Sequence, residues 1–474
     1  MRPNSDLVLL RFFRINDPYR LLGLIIIAIG ISIPLFVSPT GILLSELKNS
    51  VLGGAIADGQ LMYVQVFDDT PPLAAAIFGL TDLIFGRSIL AQHILALLLI
   101  IFQASYFAVL LINNKAYAEN TYLPCLIFGL LCFFSFDLLS FSPELIASTL
   151  LLFALNQLFH EIEFKIQRDD IVLKLGAYLG MATFVIFSYW IFILIAVIIL
   201  VIFTRAGFRK IALVVFGFLL PHLLLLTFYF YKNDLGLLWT NFYRSNLTLS
   251  GEMLVSAKAI VILASLPLAY FVFSIFMMNR EARFTKYQSQ LMQVMFLWLI
   301  TSLVQIFIAR EVSPASFLTF VPPLAYFISH YLLLIRRKWR AELMLWFFVI
   351  GTVGFCYYTR AGKLESVNYQ KLFPEIRTFR GEPVNKKVMY LGKGYGIYEG
   401  NELGGYFLNW DLSRPIVEDA AYYRNVEIVA SCFNEYPPDV VVDEEGLLDD
   451  FFERIPSLQS DYRREGNLYY RVSN

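Results

Sequence analysis

The chain has 474 residues, of which 58% are hydrophobic, 16% aromatic and only 16% charged. That balance excludes a soluble globular protein and places the chain among polytopic α-helical membrane proteins. Lysines and arginines number 38, as do aspartates and glutamates, and the resulting net charge of zero argues against nucleic acid as a partner.

From the N-terminus, a basic start and an apolar run over 21–37 lack a small-residue cleavage site before Ser38, and read as a retained first helix rather than a signal peptide. At roughly 20 apolar residues per span, helices are expected near 21–37, 88–112, 122–140, 143–160, 173–188, 190–204, 211–231, 258–278, 291–308, 315–335 and 341–358, about eleven in all. The apolar run 71–86 is set apart. At 1.5 Å per residue it reaches ~24 Å, short of a ~30 Å hydrocarbon core, so it reads as interfacial or re-entrant. Basic residues collect in alternate loops, among them Arg11, Arg14, Arg20, Arg209, Lys210, Arg283, Arg337 and Lys338, whereas the opposite loops hold Lys48, Arg87, Lys232, Arg244, Lys258 and Arg310. This asymmetry predicts a cytoplasmic N-terminus and an outer C-terminus.

Cys125, Cys132 and Cys356 fall in apolar segments and Cys432 stands apart, indicating neither a disulfide framework nor a metal site. His93, His222 and His330 lack metal-ligand spacing and suit hydrogen-bonded core positions. After Tyr358 the composition turns polar. Residues 359–474 are expected to form a small α/β domain, with strands at 387–391, 439–443 and 467–472 and a helix at 445–454, beside a membrane domain over 1–358. Gly392, Gly394 and Gly396 follow the first strand without the spacing of a nucleotide fingerprint, so a plain turn is expected there.

The stretch 38–88 gathers Glu46, Asp58, Asp68 and Asp69 beside irregular chain. A helix is expected over 39–52, with Ser38 as N-cap, Pro39 at its first position and Gly53-Gly54 as its end. Ile42, Leu43, Leu47 and Val51 would share an apolar face, with Glu46, Asn49 and Ser50 opposite. Asp69 or Thr70 suits the cap of the helix that Pro71-Pro72 begins, and Asp58 beside Gly59 suits a turn. Farther on, Glu144 opens a helix where a carboxylate favours the dipole or faces a cavity. Trp239, Phe242 and Tyr243 suit an aromatic belt or the roof of a cavity.

An acidic residue on the first outer helix, a Gly-Gly pair, GQLMY (59–63), FDDTPPL (67–73) and LIFGRS (83–88) together resemble the GT-C superfamily of membrane glycosyltransferases. The likeness is to the branch of bacterial protein O-mannosyltransferases and lipid A aminoarabinose transferases. Arg310 with SPASFLTFVPPLAYFISHYLL, and a C-terminal domain carrying PPDVVVD, agree with it. Where that branch commonly has Asp, often followed by Glu, this chain has Ser45-Glu46, and Thr70 replaces the lysine or histidine before the Pro-Pro pair. The resemblance implies transfer of a sugar from a polyprenyl-phosphate donor to a protein, lipid or glycan acceptor, at the periplasmic face of a bacterial inner membrane. It implies Glu46 as candidate base and Asp68 as second carboxylate, orienting the acceptor or holding a divalent cation, with Arg310, Arg87 and Arg244 as candidates for the donor phosphate. Two other readings fit the composition: a scaffold of the cell envelope that keeps the fold without turnover, and a transporter of a lipid-linked substrate, for which the central helices offer few charges.

Overall fold

The computed structural model describes residues 8–38, 41–163, 168–248, 251–375 and 383–472. Among them, eight helices are long and apolar enough to cross a membrane: Arg20–Val37, Ile89–Asn113, Pro143–Ile162, Phe187–Thr204, Phe208–Tyr231, Lys286–Ile308, Pro314–Leu334 and Lys338–Arg360. Ala257–Leu263 and Ser265–Glu281 meet at 59° and make a ninth if taken as one broken span. These nine cover nine of the expected segments. The other two appear as shorter helices, Leu123–Leu131 and Asp169–Thr183. The first stops because the chain turns after Cys132 and folds into a 3₁₀ turn at Phe136–Leu139. Apolar side chains such as Ile26, Ile33, Val37, Phe216 and Leu224 point outward, as lipid-facing positions require. The four cysteines are buried and free.

The chain forms two compact units. The first comprises Met1–Thr40, Leu90–Leu224 and Leu249–Gln370. Within it, Asp169–Thr183 meets the helix that starts at Phe208 at close range: a Cβ on Gly176 would fall 2.1 Å from the Val214 carbonyl oxygen. Small residues at such a crossing let helix backbones approach where hydrophobic association gives no drive. His222 bonds the Thr183 hydroxyl at 2.9 Å, and His330 lies among the rings of Tyr117, Tyr326 and Phe284. His222 is thus a hydrogen-bonded core position as expected, whereas His330 is buried among aromatic rings with its Nε2 making no hydrogen bond among the described residues.

The second unit comprises Gly41–Ile89, Leu225–Thr248 and Lys371–Asn474. Its sheet has strands β1 (Lys387–Leu391), β2 (Glu402–Leu403), β3 (Val440–Asp443), β4 (Tyr462–Glu465) and β5 (Leu468–Arg471), in the order β2-β1-β3-β5-β4. β1 runs parallel to β2 and β3, and β5 runs antiparallel to β3 and β4. The uninterrupted VVV of β3 is buried on both faces, as a central strand requires. Residues 396–398 form a short 3₁₀ helix after the glycine-rich turn, and the expected helix at 445–454 is present as Asp449–Arg454.

Two helices of Gly41–Ile89 pack together: Leu44–Ala57 and Pro72–Phe85. The first differs from expectation. Ser38 instead closes the preceding helix, and Gly53-Gly54 lie inside the new helix rather than ending it. The reason is packing. A Cβ at Gly53 would sit 2.7 Å from the Phe78 carbonyl oxygen of the neighbouring helix, so the glycine permits contact there instead of breaking the chain. The helix ends at Asp58, where Gly59 takes φ +89°, so Asp58 is the turn residue its sequence suggested. Pro72–Phe85 is 14 residues long and leaves Leu80, Leu83, Ile84 and Phe85 exposed, consistent with an element too short to span.

Candidate active site

The loop between these helices is anchored by Phe67, which is fully buried in the core of the α/β sheet with Met389, Leu391, Phe407 and Val441. Its N–H donates to the Tyr406 carbonyl (2.7 Å), its carbonyl accepts from Asn409 N–H (2.9 Å), and its ring stacks on Phe407. Burying one aromatic side chain contributes roughly 1.5–3 kcal/mol, which fixes the two residues that follow.

Tyr63 braces the other side. It holds φ +67°, a left-handed conformation that costs a non-glycine residue roughly 1–2 kcal/mol. The strain is offset by fixed partners. The Tyr63 hydroxyl donates to the Thr70 carbonyl (2.8 Å), the ring stacks on Phe242, and the Tyr63 carbonyl accepts from the Asn241 amide (2.8 Å). Burial pushes the Tyr63 phenol well above its ordinary pKa, keeping the hydroxyl a donor.

Asp68 is fully buried between these anchors. Its Oδ2 accepts from the Thr70 N–H (3.2 Å) and the Thr70 hydroxyl. Its Oδ1 is buried, accepts no hydrogen bond among the described residues and lies 3.8 Å from Lys48 Nζ. Asp69 was expected to cap the next helix. That helix instead starts at Pro72 after Pro71, with no side-chain cap, and Asp69 turns toward other partners. It accepts from the Ser245 hydroxyl (3.2 Å) and the Asn409 amide (3.2 Å), and its Oδ1 lies 3.9 Å from the same Lys48 nitrogen. Asn246 donates to the Asp69 carbonyl (2.8 Å). Ser245 and Asn246 directly follow a π-helical turn, Trp239–Arg244, whose widened ring shifts the register of the side chains after it.

Glu46 is also buried, with 2% of its surface exposed. It sits three residues after the N-cap of its helix, where its Oε2 accepts the Leu43 N–H at 3.0 Å, half of a capping box. Arg87 donates to the Asn401 carbonyl and lies against Gly54. Arg244 is exposed on the π-turn beside Ser245. Arg310 belongs to the first unit, half-buried, with its carbonyl accepting from Glu252 N–H (2.6 Å). Phe242 stacks inside the site rather than roofing it. Among the described residues, no three His, Cys, Asp or Glu side chains converge as metal ligands would.

Lys48, Ser245, Asn246 and Asn409 escaped sequence reasoning because they come from separate stretches of chain. The available signal was Lys48 itself, a cation two residues from Glu46 on a helix facing an acidic loop.

The first unit holds a further carboxylate group. Asp137 is buried on its 3₁₀ turn, accepts the Ser135 hydroxyl (2.5 Å) and faces the charge of Glu144. Burial pushes its carboxyl up to about 7. Tyr189, whose buried hydroxyl lacks a partner among the described residues, feels the same Glu144.

No protein-family model matches this chain, and neither does any curated protein sequence. Among solved structures, ArnT from Cupriavidus metallidurans bound to undecaprenyl phosphate is similar, with a TM-score of 0.51 at 12% identity. The likeness takes in 74% of this chain and 66% of that one, just under two thirds of its length. At that identity the likeness speaks for the fold alone: the chain shares the fold of that structure.

Proposed function

We propose that the protein is a membrane glycosyltransferase that moves a sugar from a polyprenyl-phosphate donor to an acceptor at the periplasmic face of a bacterial inner membrane. The observation that carries this reading is the cluster of Lys48 with the buried Asp68 and Asp69 in the GT-C fold, in which Asp68 Oδ1 accepts no hydrogen bond among the described residues. Burying such a group costs about 1–3 kcal/mol unless something bonds it, and an acceptor hydroxyl is a suitable donor.

In the proposed reaction Asp68 takes the acceptor proton and the acceptor oxygen bonds the anomeric carbon. The bond from that carbon to the phosphate oxygen breaks, its electron pair leaving with the lipid phosphate. A base of this kind contributes roughly 10²–10⁴-fold. Lys48 holds both aspartates in place, and Arg244 is the proposed cation for the departing phosphate, with Arg87 bracing the site through Asn401. Glu46, tied to a helix end, is proposed as a positioning carboxylate.

The test is transfer by the purified protein across a panel of polyprenyl-phosphate sugars and acceptors, with Asp68→Asn and Glu46→Gln alongside. Transfer abolished by Asp68→Asn supports the reading. Transfer that survives both substitutions sinks the carboxylate assignment, and the absence of binding or turnover across the panel favours an envelope scaffold.

A further inference from the structure

The α/β domain reaches the carboxylate cluster at two places. One is Asn409, whose amide bonds Asp69. The other is Tyr395, on the loop that leaves the carboxyl end of β1. Lys48 Nζ lies over its ring, 5.8 Å from the centroid. This same lysine nitrogen is the one within 4 Å of Asp68 and Asp69.

Tyr395 is set apart from the aromatics of the domain's core. Tyr406, Tyr462 and Tyr469 are buried in the hydrophobic core, whereas Tyr395 lies outside it and is half-buried. Its loop is held in shape. The Tyr390 hydroxyl donates to the Lys393 carbonyl (3.1 Å), Lys393 pairs with Asp411 (3.4 Å), and Gly394 takes φ +115°, a conformation open to glycine. Loops at the carboxyl ends of parallel strands are where open α/β sheets bind ligands. A fixed loop spends less binding energy on ordering than a loose one.

An aromatic face beside an amide, two carboxylates and an ammonium suits one chemical class. A pyranose offers a C–H face to the ring and hydroxyls to the polar groups. We propose that Tyr395 and Asn409 form a sugar-binding subsite contributed by the α/β domain, taking a pyranose ring of the donor or of a glycan acceptor. The inference rests on the proposed glycosyl transfer and adds where the sugar sits.

The test measures binding to the full chain in nanodiscs. One arm compares polyprenyl phosphate with polyprenyl-phosphate hexoses, and a second uses soluble oligosaccharides. Wild type is expected to favour a sugar-bearing ligand in one arm, which identifies the source. Tyr395→Ala should cut that preference at least about fivefold, the equivalent of ~1 kcal/mol, while leaving sugar-free lipid binding unchanged. Tyr395→Phe and Tyr395→Trp keep the ring and should keep the preference, which separates the subsite from a folding defect. No sugar-dependent binding in either arm, or a preference untouched in Tyr395→Ala, overturns the proposal. Asp68→Asn should lose transfer. Transfer surviving in that variant breaks the catalytic reading without touching the Tyr395 result.

Discussion

Asp68 and Asp137 are both buried aspartates, one in each unit, and each accepts a hydroxyl from a residue two positions away. Their surroundings differ in sign. Lys48 lies within 4 Å of Asp68 and also serves Asp69, whose partners include a serine hydroxyl and a side-chain amide. Asp137 faces the carboxylate of Glu144, and burial pushes it up to about 7. Burial in a low-dielectric setting makes the Asp137 carboxyl hold its proton to higher pH, with the Glu144 charge adding to the effect, whereas Asp68 has an ammonium beside it. The two buried aspartates thus differ in the charge set beside them, an ammonium at Asp68 and a carboxylate at Asp137.

The comparison can be broken most forcefully at Asp68. Asp68→Asn is expected to lower transfer by roughly 10²–10⁴-fold, read as initial rates at saturating donor, with little change in melting temperature. Next in size, Phe67→Ala should destabilise the second unit by about 3–5 kcal/mol, seen as an earlier transition in thermal unfolding and faster proteolysis of the C-terminal region. Lys48→Met should follow at about 1–3 kcal/mol, less than the full cost of breaking a buried pair because the contacts are 3.8 and 3.9 Å long. Lys48→Arg should recover part of that loss.

Asp137 sharpens the contrast through pH. Its folded pKa is raised, so the native state binds more protons than the unfolded chain between about pH 4 and 7. The contribution is fully present below the unfolded value and is lost as pH rises through about 7, by up to ~1.4 kcal/mol per pH unit. Asp137→Asn should flatten that part of the curve in melting midpoints taken from pH 4.5 to 7.5. An unchanged slope would remove Asp137 as its origin. The smallest effect is expected at Glu46→Gln, about 0.5–1 kcal/mol from a weakened helix end, with transfer reduced far less than in Asp68→Asn.

The membrane spans were legible because hydrocarbon thickness imposes a length that apolar runs must match. The sheet was legible from runs such as VVV at 440–442. Gly53-Gly54 was misleading because a glycine pair reads alike whether it ends a helix or admits a neighbour, and only the position of Phe78 decides. Asp69 misled for a related reason. It stands at cap spacing, but its partners Ser245 and Asn409 lie 176 and 340 residues downstream. No local pattern announces such contacts. Asp68 was singled out in sequence as a candidate, but its contact with Lys48, 20 residues upstream, shows only in the fold.

Seating Phe67 among residues as distant as Tyr469 also dictates a schedule for biogenesis. About 400 residues separate the two, so at 5–20 residues per second the ribosome needs about 20–80 s to deliver the second after the first. Until then the loop bearing both aspartates lacks its anchor. A nascent chain already inserted in the bilayer therefore carries this loop before its anchor is complete, and any product shortened before β5 would reach the membrane with that anchor unfinished.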